Sequence, residues 1–104
     1  TVGLSEAEAR KQGFAVRSQV FQFRELGKAQ AMGELPGMFK LVCEEGSGRI
    51  LGAHLAGAHA TDLIAEAALA MLEGLTAADI AHTIHAHPTL AEGLYETAEG
   101  WLRG

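Results

Sequence analysis

Residues 38–57, MFKLVCEEGSGRILGAHLAG, decide the fold class. Two apolar runs rich in strand-forming residues, MFKLVCEE and RILGAHLAG, flank the connection Gly46-Ser47-Gly48. A short glycine-bearing link between two such runs is a hairpin signature, so antiparallel strands are predicted over about 38–45 and 49–57.

Working outward, Ser5 followed by Glu8 forms a capping-box pattern and Gly13 supplies a stop, which predicts a helix over 5–12. FAVRSQVFQF, residues 14–23, then places Phe14, Val16, Val20 and Phe21 in partial alternation with polar residues and reads as a further strand. Residues 24–33, RELGKAQAMG, are mixed and predict a loop with some short structure. After the hairpin the period changes from two to three and four. TDLIAEAALAMLEG predicts a helix of about three turns, with Thr61 or Asp62 as N-cap and Gly74 as stop. Leu63, Ala67, Ala70 and Met71 share one face, and Ile64, Ala68, Leu72 and Leu75 the adjacent one. Glu66 and Glu73 are the charges that interrupt this apolar surface, which is wider than a small sheet needs as cover. Thr76 with Asp79 opens a short helix, AADIAHTI, that Pro88 forbids from continuing, and Thr89 with Glu92 forms another capping box ahead of LAEGLYETAEGWL. Helix, antiparallel strands, then helices make an α+β domain, an antiparallel sheet with helices packed on it.

Composition narrows the function. At 104 residues the chain has room for one domain, 1–104, and one core. No apolar run reaches the ~18 residues of a membrane span, so the chain reads as a soluble domain. A net charge of −5 without a basic cluster argues against nucleic acid or an anionic membrane as partner. The glycines of GSGRILG open a strand, whereas a dinucleotide loop leads from a strand into a helix, so they are turn residues. A single cysteine, Cys43, rules out an internal disulfide framework and fits a reducing compartment. Its apolar strand neighbours predict a buried, inert thiol. The chain starts at Thr1, with neither the basic start nor the apolar segment of a signal peptide, and is expected to be a piece of a longer protein.

The polar chemistry is concentrated in TIHAHPTLAE, residues 83–92. A residue before proline is pushed out of helical geometry, so His87, ahead of Pro88, is expected in an extended or turn conformation suited to a working side chain. Glu92 has two readings that are compatible: a helix cap with Thr89, and a partner that fixes the His87 tautomer and raises its basicity. The rival is a metal site drawn from His54, His59, His82, His85 and His87. His-x-His alone is a weak zinc signal, and no metal is assigned. A lone strand histidine such as His54 reads as a hydrogen-bonded structural residue.

The stretch IHAHPTLAE resembles the carboxy-terminal signature of the flavin-dependent disulfide reductases, most closely that of the dihydrolipoamide dehydrogenases. VGLSEAEAR is similar to the entry into that family's interface domain, GRILGAHLAG to its central hairpin and AHATDLIAEAALAM to its interface helix, and TAADIAHTIHAHPTLAE follows in the expected order. Glutathione reductase relatives share His-Pro-Thr but not the preceding Ile-His-Ala. That alternative is therefore weaker, as is a stand-alone histidine-rich metal module.

The resemblance implies a homodimer in which His87, with Pro88 near the flavin, reaches the disulfide and flavin of the partner subunit. It implies that His87 is the acid/base residue for the dithiol substrate and that Glu92 orients it. The parent enzyme would reoxidise dihydrolipoyl groups on the acyltransferase of a 2-oxoacid dehydrogenase complex, through a redox disulfide and FAD to NAD. It would work in the bacterial cytoplasm or in the mitochondrial matrix. The present chain has no paired redox cysteines and no strand-to-helix GxGxxG, so it is expected to bind neither cofactor and to turn nothing over alone. Self-association is expected through the apolar helix at 61–73 and the final helix. Ala91 stands where serine is common, and Gly93 is expected to loosen the helix start beside Glu92.

Overall fold

A computed structural model of the chain describes residues 1–22, 37–57, 60–86 and 91–104. Among them the elements are β1 (Val2–Gly3), α1 (Glu6–Lys11), β2 (Val16–Gln22), β3 (Gly37–Glu44), β4 (Ile50–Gly57), α2 (Ala60–Leu72), α3 (Ala77–His82) and α4 (Glu92–Arg103). The four strands form one antiparallel sheet in the order β1-β4-β3-β2, the α+β architecture expected from the sequence. The loop predicted over 24–33 lies outside the described residues. β1 escaped the sequence reading because two residues carry no alternation.

The hairpin forms where predicted. Gly46 and Gly48 both take positive φ, and Ser47 Oγ donates to Glu44 and accepts from the Arg49 amide, which closes the turn. Between Val42 and Cys43 the register slips by one residue of β4. The bulge sets Ile50, in place of Leu51, opposite Cys43, and the strand's alternation sends the two to opposite cores: Ile50 joins Phe39, Leu41, Cys43 and Trp101 beneath the helices, whereas Leu51 joins Val42, Val16 and Ala9 beneath α1. Each large apolar side chain buried this way contributes roughly 1.5–3 kcal/mol.

The helix signals at α1 and α3 hold in detail. Ser5–Glu8 and Thr76–Asp79 are complete capping boxes. Gly13 and Gly74, both at positive φ, close α1 and α2 with paired amide-to-carbonyl bonds back into the last turn, Phe14 to Ala9 and Leu75 to Ala70. Three boundaries differ. Helix α2 already includes Ala60, so Thr61 and Asp62 lie in its first turn rather than at the cap. Helix α3 ends at His82, well before Pro88, where Thr83 turns extended and its hydroxyl bonds the Asp79 carbonyl. Helix α4 starts at Glu92 with Ala91 at the N-cap and no side-chain cap; the predicted cap Thr89 lies outside the described residues, and Glu92 occupies the first helical position rather than the third.

Gly93 does not loosen this helix start. A Cβ at residue 93 would fall within the Phe39 ring, so the glycine is what lets α4 lie against β3. The apolar side of α4 (Leu94, Ala98, Trp101) is buried in the domain's own core, so any part of this helix in self-association would fall to its other side, where Leu102 is 42% exposed. Helix α2 buries Ala67 and Ala70 but leaves Leu69 60% and Leu72 79% exposed, so the excess apolar surface read from the sequence sits there.

Candidate functional site

α3, the irregular segment after it and the start of α4 enclose a cavity of about 310 Å³ lined by Ala81, His82, Thr83, Ile84, His85, Glu92 and Tyr95. Of the predicted pair, Glu92 is therefore placed on this cavity, half-buried at the first turn of α4, where a carboxylate also complements the helix dipole. His87 and Pro88 lie outside the described residues, as does His59.

His85, which the sequence offered only as a rival metal ligand and a family marker, is anchored beside the cavity through both ring nitrogens. Its Nε2 is 2.6 Å from Glu66 Oε2 and its Nδ1 2.9 Å from the Thr83 carbonyl oxygen. Its ring tilts at 46° against that of Tyr95, with centroids 5.8 Å apart. With an oxygen acceptor at each ring nitrogen, both bonds are donated at once only by the doubly protonated ring. The Tyr95 hydroxyl in turn donates to Glu99, whose negative charge holds the phenol above its ordinary pKa. Glu66 and Tyr95 were missed as site residues. The signal for Glu66 was present: it is an ionisable residue interrupting an apolar helix.

The remaining histidine readings divide. His54 Nε2 bonds the Leu4 carbonyl, the structural role expected of it. Among the described residues no group of three or more His, Cys, Asp or Glu gathers as a metal site. Cys43 is fully buried, and burial pushes its thiol up to about 12 despite Arg17, which sits opposite it across the β2–β3 ladder and acts the other way. That neighbour was invisible locally, since only strand pairing brings it near; the inert reading stands because desolvation outweighs one partly solvated charge. No helix among the described residues is long and apolar enough to cross a membrane.

The family model for the dimerisation domain of pyridine nucleotide-disulphide oxidoreductases matches residues 1–98. The chain belongs to this family. Similar sequences to this dimerisation domain include dihydrolipoyl dehydrogenases from Bacillus subtilis, 44% identical over 95% of the chain, and Chlamydia muridarum, 49% identical over 94%. One from Geobacillus stearothermophilus is 46% identical over 95%. The chain spans 21% of the length of each of these curated relatives. Among solved structures, LpdA from Mycobacterium tuberculosis superposes with a TM-score of 0.87 at 23% identity, over 94% of this chain and 21% of that one. The HOCl-induced flavoprotein disulfide reductase RclA from Escherichia coli gives 0.88 at 24%, over 94% and 22%. At these identities the superpositions establish that the dimerisation domain shares their fold.

Proposed function

We propose that this chain is the interface domain of a dihydrolipoamide dehydrogenase and supplies its acid/base histidine. The observation that carries the reading is the run of dihydrolipoyl dehydrogenases matching nearly the whole chain at 44–49% identity. In this reading His87 accepts a proton from one thiol of a dihydrolipoyl group as that sulfur becomes a thiolate. Glu92, at the neighbouring helix start, orients the imidazole and favours its cation. A positive charge beside sulfur stabilises the thiolate, and proton transfer by a positioned histidine is worth about 10²- to 10⁴-fold in rate.

The chain's glycine-rich turn runs into a strand, so it presents no phosphate cradle of the strand-to-helix kind. FAD, NAD and the redox disulfide would therefore belong to the rest of the parent polypeptide, supplying electron transfer when bound there. Two copies would meet through the exposed leucines of α2, and the dithiol would arrive on the lipoyl arm of an acyltransferase. A reducing compartment, the bacterial cytoplasm or the mitochondrial matrix, suits a chain with a single buried thiol.

In the full-length flavoenzyme, His87→Ala is expected to lower dihydrolipoamide oxidation by about 10²- to 10⁴-fold, and Glu92→Gln by less. Full turnover in the His87→Ala enzyme would overturn the assignment.

A further inference from the structure

We propose that Ile84 anchors the contact between two copies of this chain, extending the surface that the exposed leucines of α2 begin. The inference rests on the reading above that two copies meet through α2, and it adds the exit of α3 to that contact. Ile84 is 97% exposed, the most open of the large apolar side chains among the described residues. One exposed aliphatic side chain is ordinary, but a gathered set marks an interaction surface.

The set gathers around α2. Residues three apart on a helix are neighbours, so Glu66, Leu69 and Leu72 form one line that runs beside the buried Ala67 and Ala70. The Glu66 carboxylate lies 2.6 Å from the His85 ring, and consecutive Cα atoms are about 3.8 Å apart, so Ile84 stands near the Glu66 end of that line. His85 itself turns inward, with its side chain 8% exposed, and Ile84 turns out. Leu75, partly exposed, closes the other end, where its amide bonds the Ala70 carbonyl. Of the six large apolar side chains exposed among the described residues, only Val20 and Leu102, on β2 and α4, stand apart from this surface.

A second copy is the occupant that fits. The chain matches a dimerisation domain through residue 98, and a net charge of −5 disfavours an anionic membrane as the cover. A twofold contact uses the same patch on both copies, so Ile84 enters it twice. Ile84 also lines the cavity that Glu92 and Tyr95 line, so a copy seated on it closes that wall of the cavity.

The test uses the full-length flavoenzyme carrying this domain and reads its dimer dissociation constant by sedimentation over a dilution series. Ile84→Ala is expected to raise Kd about 100-fold, since a loss of about tenfold for one aliphatic side chain counts twice across a twofold axis. Ile84→Lys should leave mostly monomer. Val20→Lys, the same charge on an exposed apolar residue away from the patch, should keep Kd within about twofold. Hydroxyl-radical footprinting gives a second reading without any change at position 84: Ile84 should be oxidised several-fold more slowly in the wild-type dimer than in the Leu69→Lys, Leu72→Lys monomer. If the leucine pair dissociates the dimer but neither Ile84 variant weakens it, and Ile84 is oxidised equally fast in dimer and monomer, the anchor is overturned and the α2 contact stands. A dimer that neither the leucine pair nor Ile84→Lys weakens would remove both.

Discussion

Arg17 and Trp101, 84 positions apart, hold each other by reciprocal bonds. Arg17 Nη1 donates to the Trp101 carbonyl at 2.7 Å, the indole Nε1 donates to the Arg17 carbonyl at 2.8 Å, and the guanidinium carbon lies 4.1 Å from the indole centroid. The clamp fixes the last turn of α4 to β2, and with it the axis of the helix whose first residue is Glu92. It also satisfies the one polar atom of a buried indole.

Removal of either side of the clamp should therefore destabilise the whole domain. Trp101→Ala is expected to cost about 3–5 kcal/mol, and Arg17→Ala about 1–2 kcal/mol, mostly through the lost cation–π and carbonyl contacts. In a urea-unfolding cycle the two losses should couple by about 1 kcal/mol. Strict additivity would show that the contacts are incidental.

At the other end of α4, Gly93→Ala opposes two effects. Alanine gains up to about 1 kcal/mol of helix propensity within a helix, but its methyl group enters the Phe39 ring, and overpacking of a filled core costs about 1–3 kcal/mol. A net loss is expected in thermal melting, smaller in a Phe39→Leu background. A stabilised Gly93→Ala protein would mean that β3 and α4 part easily.

Cys43 makes stability pH-dependent at the alkaline end. Its folded-state pKa is raised to about 12 by burial, above that of the unfolded thiol, so the neutral thiol contributes fully below about pH 9 and the contribution fades as pH climbs toward 12. Over that window the unfolded chain sheds a proton that the folded chain keeps, and stability falls by up to about 1.4 kcal/mol per unit. Cys43→Ala should flatten this part of the profile, and the native thiol should resist a disulfide reagent until urea unfolds it. Rapid labelling in buffer would contradict the burial.

The exposed side of α2 is expected to carry self-association. Leu69→Lys with Leu72→Lys should shift sedimentation toward the monomer while leaving monomer stability within about 0.5 kcal/mol per change, since neither leucine is in the core. An unchanged sedimentation profile would move the contact elsewhere.

What could be read along the chain was whatever the chain decides locally. The hairpin over 38–57, the Ser5–Glu8 and Thr76–Asp79 boxes and the glycine stops at 13 and 74 depend on residues within one turn of each other, and all of them formed. The inert character of Cys43 was legible for the same reason. The burial of Gly93 beneath Phe39 and the pairing of Arg17 with Trp101 were not, because each joins residues more than fifty positions apart. Glu66 shows the boundary between the two: its oddness in an apolar helix is a property of sequence, but its partner is set by how α2 and the α3 exit pack. The sequence by itself determined the elements other than β1 and their order, because hydrogen-bond capping and hydrophobic period act over a few residues. Only the tertiary structure decided that His85 turns inward to a carboxylate while Leu69 and Leu72 stay outside, since burial depends on which surfaces remain once the sheet has covered its own.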